Sequence, residues 1–414
     1  MNTIREQVRR SCWLGAALLV AGAASAEEST SIGKAIDAIK PIADTRLRFE
    51  DVDPHSASPD AEAVTMRARL GFETGKVWNT TLLAEGEFVW SLDDHYNSTT
   101  NGNTQYPVVA DPQGSEFNRL QLSNTSIANT TVTLGRQRIN LDDQRFVGNG
   151  GWRQNEQTFD AVRLVNRSVS NLIVDVSYLN QVNRVYGSDS VQGRYEGDTA
   201  LANVSYKFPI GLLTGFAYHV EIDPVAGVPA AVRDSSTTLG ARFAGEHPLN
   251  KKAAIAYVAS YATQQDSAPN PLSFDLNYYL AELTGRYDHY SLRVGTEVLQ
   301  GDGVKGFTTP LATLHPFQGW ADKFLTTPAN GIDDRYVNGG LTWQHVGPLD
   351  SISAQATYHW YDAERGTQSF GSETDAQLLL RWHKFSGQLK YADFRGEGPY
   401  TDTSKFWAQL EYVW

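Results

Sequence analysis

The chain has 414 residues, with 35 Lys and Arg against 47 Asp and Glu, a net charge of −12. That balance argues against nucleic acid as a partner, although it says nothing of where each sign sits once the chain folds. A single cysteine excludes a disulfide framework, and 41% hydrophobic residues with 19 Tyr, 17 Phe and 10 Trp fit apolar side chains that are spread out and not massed.

In chain order, an export signal comes first. Arg5, Arg9 and Arg10 precede the apolar run from Cys12 to Ala24, and Ala24-Ser25-Ala26 reads as a cleavage site before Glu27. Residues 1–26 are expected to be removed, the lone cysteine with them, and residues 27–43 to form a short periplasmic leader. No later apolar run reaches the ~18–20 residues of a membrane helix.

From residue 44 to 414 the dominant pattern is period two. Val64, Met66, Ala68, Leu70 and Phe72 share one face, and Thr65, Arg67, Arg69 and Glu73 the other. The same alternation recurs in Leu82/Ala84/Phe88/Trp90, Leu172/Val174/Val176/Tyr178, Leu292/Val294/Val298 and Ala354/Ala356/Tyr358/Trp360. About eighteen such segments predict an all-β, antiparallel up-and-down transmembrane barrel, apolar side to lipid and polar side to a lumen. Connections alternate between short ones, such as Asp288-His289 and Gly347-Pro348-Leu349, and long ones, such as Ser91–Gly114, Ile139–Thr158 and Gly301–Asp333. Short periplasmic turns and long extracellular loops in the bacterial outer membrane account for that asymmetry. The chain closes on a strand in which Phe406, Ala408, Leu410, Tyr412 and Trp414 share a face. That strand resembles the terminal-strand signal of outer-membrane proteins that the barrel-assembly machinery reads, and the resemblance implies that machinery and outer-membrane lipid as partners.

Two blocks are more specific: GRQRINLDDQRFVGNGGWRQNEQTFDAVRL from Gly135 to Leu164, and GDGVKGFTTPLATLHPFQGWADKFLTTPANGIDD from Gly301 to Asp334. Both resemble signature segments of the bacterial alginate-export family of outer-membrane porins. The resemblance covers most of the mature chain and implies an eighteen-stranded barrel passing an acidic polysaccharide. Many homologues under that family name carry other cargo, so fold transfers better than substrate. No short-side connection is long enough to plug the channel, which leaves any gating to the extracellular loops.

Alternation turns Arg46, Arg48, Arg67, Arg69, Arg163, Arg242, Arg286, Arg293, Arg381, Lys390 and Lys405 into the lumen. Two readings stand. Free guanidinium groups would bind carboxylates, bidentately where geometry allows; or they pair with wall carboxylates such as Glu50, Glu73, Glu85, Glu87, Glu282, Glu297 and Asp375. Arg136 follows Val132 and Leu134 on the lipid side; a bulge at Gly135 would return it to the lumen, and it is counted with the pathway arginines on that expectation, while a rim position would also relieve the cost. Arg145, Trp152, Arg153 and Gln154 in one loop, and Trp320 and Lys323 with His315 and Asp322 in the other, form either a constriction or a self-packed cap.

Other chemistry is thin. Gly301-Asp302-Gly303-Val304-Lys305-Gly306 matches a dinucleotide motif, but Phe307-Thr308-Thr309-Pro310 follows where a helix is required. Asp302, Asp322, Asp333 and Asp334 lack calcium-loop spacing, and no zinc or nucleophile-elbow motif is present. His219 and His359 are expected inward, with no catalytic partner identifiable. No cofactor, metal or catalytic residue is therefore assigned. The leading expectation is passive passage of an anionic saccharide; the alternatives are uptake of small anionic nutrients and, in another class, a polysaccharide-degrading enzyme. Cargo, direction and oligomeric state are not encoded in these patterns.

Overall fold

The structure, a computed structural model, describes residues 32–56, 58–228 and 230–414. The expected export signal and the start of the leader lie outside the described residues. The rest of the leader is a short helix, α1 (Ile32–Asp37), and then strand; β1 begins at Lys40, ahead of the expected boundary at residue 44. The Gly75 amide donates to the Ala35 carbonyl at 2.9 Å, which tucks α1 beneath the first short turn.

Eighteen strands follow in chain order: β1 (Lys40–Asp53), β2 (Ala61–Glu73), β3 (Thr80–His95), β4 (Gly114–Asn124), β5 (Thr130–Gln137), β6 (Thr158–Asn166), β7 (Leu172–Asn183), β8 (Arg194–Phe208) and β9 (Gly211–Val220). They continue as β10 (Ser236–Pro248), β11 (Ala253–Asp266), β12 (Asp275–Tyr287), β13 (Tyr290–Leu299), β14 (Ile332–Val346), β15 (Leu349–Asp362), β16 (Ser369–Trp382), β17 (Phe385–Gly396) and β18 (Thr403–Val413). Each strand pairs antiparallel with the next, and β18 returns to β1 with Leu410 opposite Leu47, so the sheet closes and leaves no edge. An even strand count puts both chain ends at the short-turn end.

Closure inverts the usual distribution of side chains. Leu70, Leu120, Leu283, Leu292, Leu389 and Leu410 are exposed on the outer face, where the surrounding medium is lipid. Trp78, Trp343, Trp382 and Trp414 stand exposed toward the short-turn end, and Trp90, Tyr279, Trp360 and Tyr391 toward the other, as interfacial girdles do. The packed core lies inside the barrel. There Ile139, Val147, Phe307, Leu311 and Phe324 from the two longest loops pack against Phe216, Tyr278, Tyr361 and Phe394 of the wall.

Bulges occur between Val64 and Thr65, Glu85 and Gly86, and Asp160 and Ala161. None falls at Gly135, where Leu120 faces Arg136 and Leu122 faces Leu134 in unbroken register.

Candidate functional site

Residues 138–157, between β5 and β6, and 300–331, between β13 and β14, turn inward and meet inside the lumen. Val147 and Leu311 form a bridge between them, and the Gly148 amide donates to the Leu311 carbonyl at 2.8 Å. Loops this long need an external reason to hold one conformation. Here the wall charges supply it.

The arginines of β1 and β2 do not stand free. Arg46 grips Glu411 with Nε and Nη2 at 3.1 and 2.8 Å, while Nη1 donates to the successive carbonyls of Gly151, Trp152 and Arg153 at 3.1–3.2 Å. Arg48, 1% exposed, donates to the Trp152 carbonyl at 2.5 Å and to Gln409 at 2.7 Å, and faces Asp111 at 3.4 Å. Arg67 pairs with Asp44 and Glu411, and Arg69 with Glu87 and, at 3.6 Å, Glu156. From the loop side, Arg153 answers with Glu50 at 3.0 Å, Asp322 at 3.2 Å and Asp111 at 3.7 Å. The wall-pairing reading holds for this stretch, with one addition: the arginines bind loop backbone as well as acids.

At the centre Trp152 stacks face to face on His315, centroids 4.3 Å apart and planes within 3°. The Arg48 guanidinium lies over the same indole at 4.1 Å, and Lys390 Nζ sits 3.9 Å from it and 3.8 Å from Trp320. Cations packed on indole faces keep more of their attraction where they are buried, as Arg48 and Lys390 are. Lys390 Nζ is 2.6 Å from His315 Nε2, and His315 Nδ1 is 2.8 Å from Asp322. The lysine donates to one ring nitrogen and the other donates to the carboxylate, which is the neutral tautomer. Burial pushes this imidazole well below its ordinary range; Asp322 pulls the other way and Lys390 adds to the depression. Burial weighs against ionisation of Asp322, but the His315 contact, Lys405 and Arg153 outweigh it and hold the carboxyl well below the usual range.

The second loop hangs on β16. The Ala321 amide donates to Glu373 at 2.7 Å, and Gly319 lies in the left-handed region at φ +80° against Tyr361 and Glu373. Arg145 crosses to Glu297 at 2.6 Å, Thr309 at 3.0 Å and Gln318 at 3.2 Å. Gln154 donates to Thr65 at 2.9 Å, and Lys323 to Thr403 at 2.9 Å. All six loop residues singled out from sequence thus lie inside the barrel and tie loop to loop or loop to wall.

Two cavities flank the segment 314–322. An outer one of about 240 Å³ is bounded by four loops and reaches Trp152, Arg153, His315 and Lys405. An inner one of about 330 Å³ lies toward the short-turn end, between Phe317, Gln318 and Trp320 above and Arg242, Arg293, Tyr336 and Gln355 on the wall. Its arginines are paired too, Arg242 with Asp143 at 3.2 Å and Arg293 with Glu282 at 3.3 Å. Asp334 and Asp375, on either side of His359, add further acid to this wall.

The remaining sequence candidates separate. Arg163 faces the lumen and pairs with Asp175 at 2.9 Å. Arg286 pairs with Glu246 near the short-turn mouth, where Arg381 is exposed with no ion pair among the described residues. Arg136 is corrected: unbroken register keeps it on the outer face with Leu134, one residue from the end of β5, where Asp160 at 2.8 Å and the Phe117 carbonyl at 3.0 Å satisfy it. Near the interface a charge on the lipid face costs ~0–1 kcal/mol, against ~2–4 at the midplane. His219 is corrected as well. Thr214, Phe216 and Tyr218 take the inward positions of β9, so His219 faces outward and meets Thr237 at 2.8 Å, whereas His359 is inward on Asp334. Asp111, Glu156 and Glu411 were missed. They are distant in sequence from the arginines they serve, and only barrel closure and loop infolding bring them there.

No protein-family model matches the chain, and no curated relative does, so the alginate-export resemblance gains no support. Solved structures do match. OccAB2 of Acinetobacter baumannii superposes with a TM-score of 0.71 at 16% identity, covering 92% of this chain and 99% of that one. OpdK of Pseudomonas aeruginosa, solved with vanillate, gives 0.70 at 13%, again over 92% and 99%. OccK9 (OpdG) of the same organism gives 0.69 at 14% over the same shares. Similarity at that identity is one of fold, and the fold is that of a bacterial outer-membrane porin: a closed, antiparallel, eighteen-stranded β-barrel.

Proposed function

We propose that this chain is a passive outer-membrane channel for small solutes carrying a carboxylate. One observation carries the reading. Loops 138–157 and 300–331 cross the lumen on buried ion pairs and leave cavities of about 240 and 330 Å³, the size of single small molecules. A polysaccharide strand would need both loops to leave together, against every contact made by Arg46, Arg48, Arg145, Arg153 and Asp322. Acids pair most of the basic residues at the constriction, so the preference for an anion rests on the fold neighbour solved with vanillate, which is in keeping with a small carboxylate. The alginate-like cargo suggested by resemblance is the weaker reading.

The test is reconstitution of the purified chain in a planar bilayer and in liposomes. Small carboxylates such as acetate and benzoate are expected to permeate, with a reversal potential on the anion side, and mannuronate oligomers to be excluded. Passage of the oligomers at comparable rates, or cation selectivity, would overturn the proposal. Incubation with alginate is expected to give no unsaturated products; their appearance would point to an enzyme instead.

A further inference from the structure

The loop between β7 and β8, residues 184–193, contributes Arg184, Val185 and Tyr186 to the outer cavity. Arg184 differs from the other cations there. Arg153 and Lys405 are both committed to Asp322, whereas Arg184 has no carboxylate partner among the described residues. Its guanidinium lies 4.0 Å from the Tyr195 ring and 4.8 Å from the Tyr186 ring, and its one hydrogen bond runs from Nη1 to the Gln192 carbonyl at 3.0 Å. Contact with the rings engages the faces of the guanidinium. The Nε–Nη2 edge remains, which is the edge that takes a carboxylate bidentately.

The rest of the cavity is built for an apolar body. Val108, Ala110, Val185, Pro310, Leu314 and Leu325 contribute to its lining, with the Trp152 indole at its floor. A cavity of about 150 Å³ can accommodate benzene, so about 240 Å³ admits one ring with its substituents and not two.

We propose that this cavity is an outer docking site for single-ring carboxylates, with the ring against the apolar lining and the carboxylate on Arg184. It deepens the channel reading and rests on it. Arg184 and Tyr186 lie outside the network that holds the loops, so the carboxylate anchor belongs to the mouth, while the floor of the same cavity is the constriction.

The experiment measures binding of benzoate, and of neutral benzamide, to the detergent-solubilised full chain by tryptophan fluorescence, for wild type, Arg184→Gln and Arg184→Lys. Retention of the barrel is checked by heat-modifiable migration. Benzoate is expected to bind wild type, to weaken at least tenfold in Arg184→Gln and to be partly rescued by Arg184→Lys, with benzamide weak throughout. Equal benzoate affinity in wild type and Arg184→Gln, equal binding of benzamide and benzoate, or no binding to wild type would overturn the docking site. Acetate permeation in liposomes separates the two readings: if it persists while benzoate binding ignores Arg184, the channel stands and the docking site falls.

Discussion

Asp322 shows how much one side chain decides. Its carboxylate receives Arg153 at 3.2 Å, Lys405 at 3.1 Å and the His315 ring at 2.8 Å, with 6% of the side chain exposed. Removing one member of a buried charge network leaves the others uncompensated, at about 3–5 kcal/mol. Asp322→Asn is therefore expected to free both inward loops while the barrel persists, seen as proteolysis within residues 300–331 and a noisier, larger conductance. The pH dependence has a definite sign. A depressed carboxyl contributes stability above its unfolded value, about 3.9, and loses it only as pH falls through the lower folded value. His315 sets the other limit: the closed loops hold its ring neutral, and a released ring takes up a proton below its unfolded value, about 6.5. The closed state therefore weakens, and wild-type conductance is expected to become larger and noisier as pH falls from about 7 to about 5. Conductance that stays flat across that interval would assign the control of the loops to another group.

Among the elements, the segment 314–322 matters most because one cavity lies on each side of it. It is docked by the Ala321 amide on Glu373 and by the close approach of Gly319 to Tyr361. A Cβ at Gly319 would collide with the Tyr361 hydroxyl and the Glu373 carboxylate, and the positive φ disfavours any side chain there. Gly319→Val is expected to lift the segment off β16 and raise conductance severalfold, with unchanged barrel content by circular dichroism. Unchanged conductance would show that the segment does not limit flow. Strands behave differently: their outer faces meet lipid, so alternation resists a one-residue slip of register, and cross-strand pairs such as Arg46 with Glu411 resist a slip of two.

For the whole molecule the decisive event is closure of β18 on β1. It satisfies the backbone of both strands within the membrane and brings Gln409 and Glu411 to Arg46 and Arg48. Deleting residues 403–414 is expected to abolish the heat-modifiable folded form, because loss of β18 opens the sheet and takes away the acid that Arg46 and Arg67 share. A folded, conducting product would show that the arginine network is dispensable for closure.

The strands, their approximate number and the placing of long loops on one side were legible in the sequence, because period-two alternation and turn residues are local and lipid enforces them strictly. The inward direction of most lumen arginines was legible for the same reason. His219 escaped because a register read from apolar residues alone cannot tell Phe216 and Tyr218 facing a loop from the same residues facing lipid. Arg136 escaped because the distance of a strand end from the membrane midplane is a property of the assembled barrel. Whether the arginines were free or paired, and whether the loops lay in the lumen or over it, only the tertiary structure decided. Those answers rest on Glu411, Asp111 and Asp322 arriving from remote parts of the chain, and pairing of that kind leaves no local period to read.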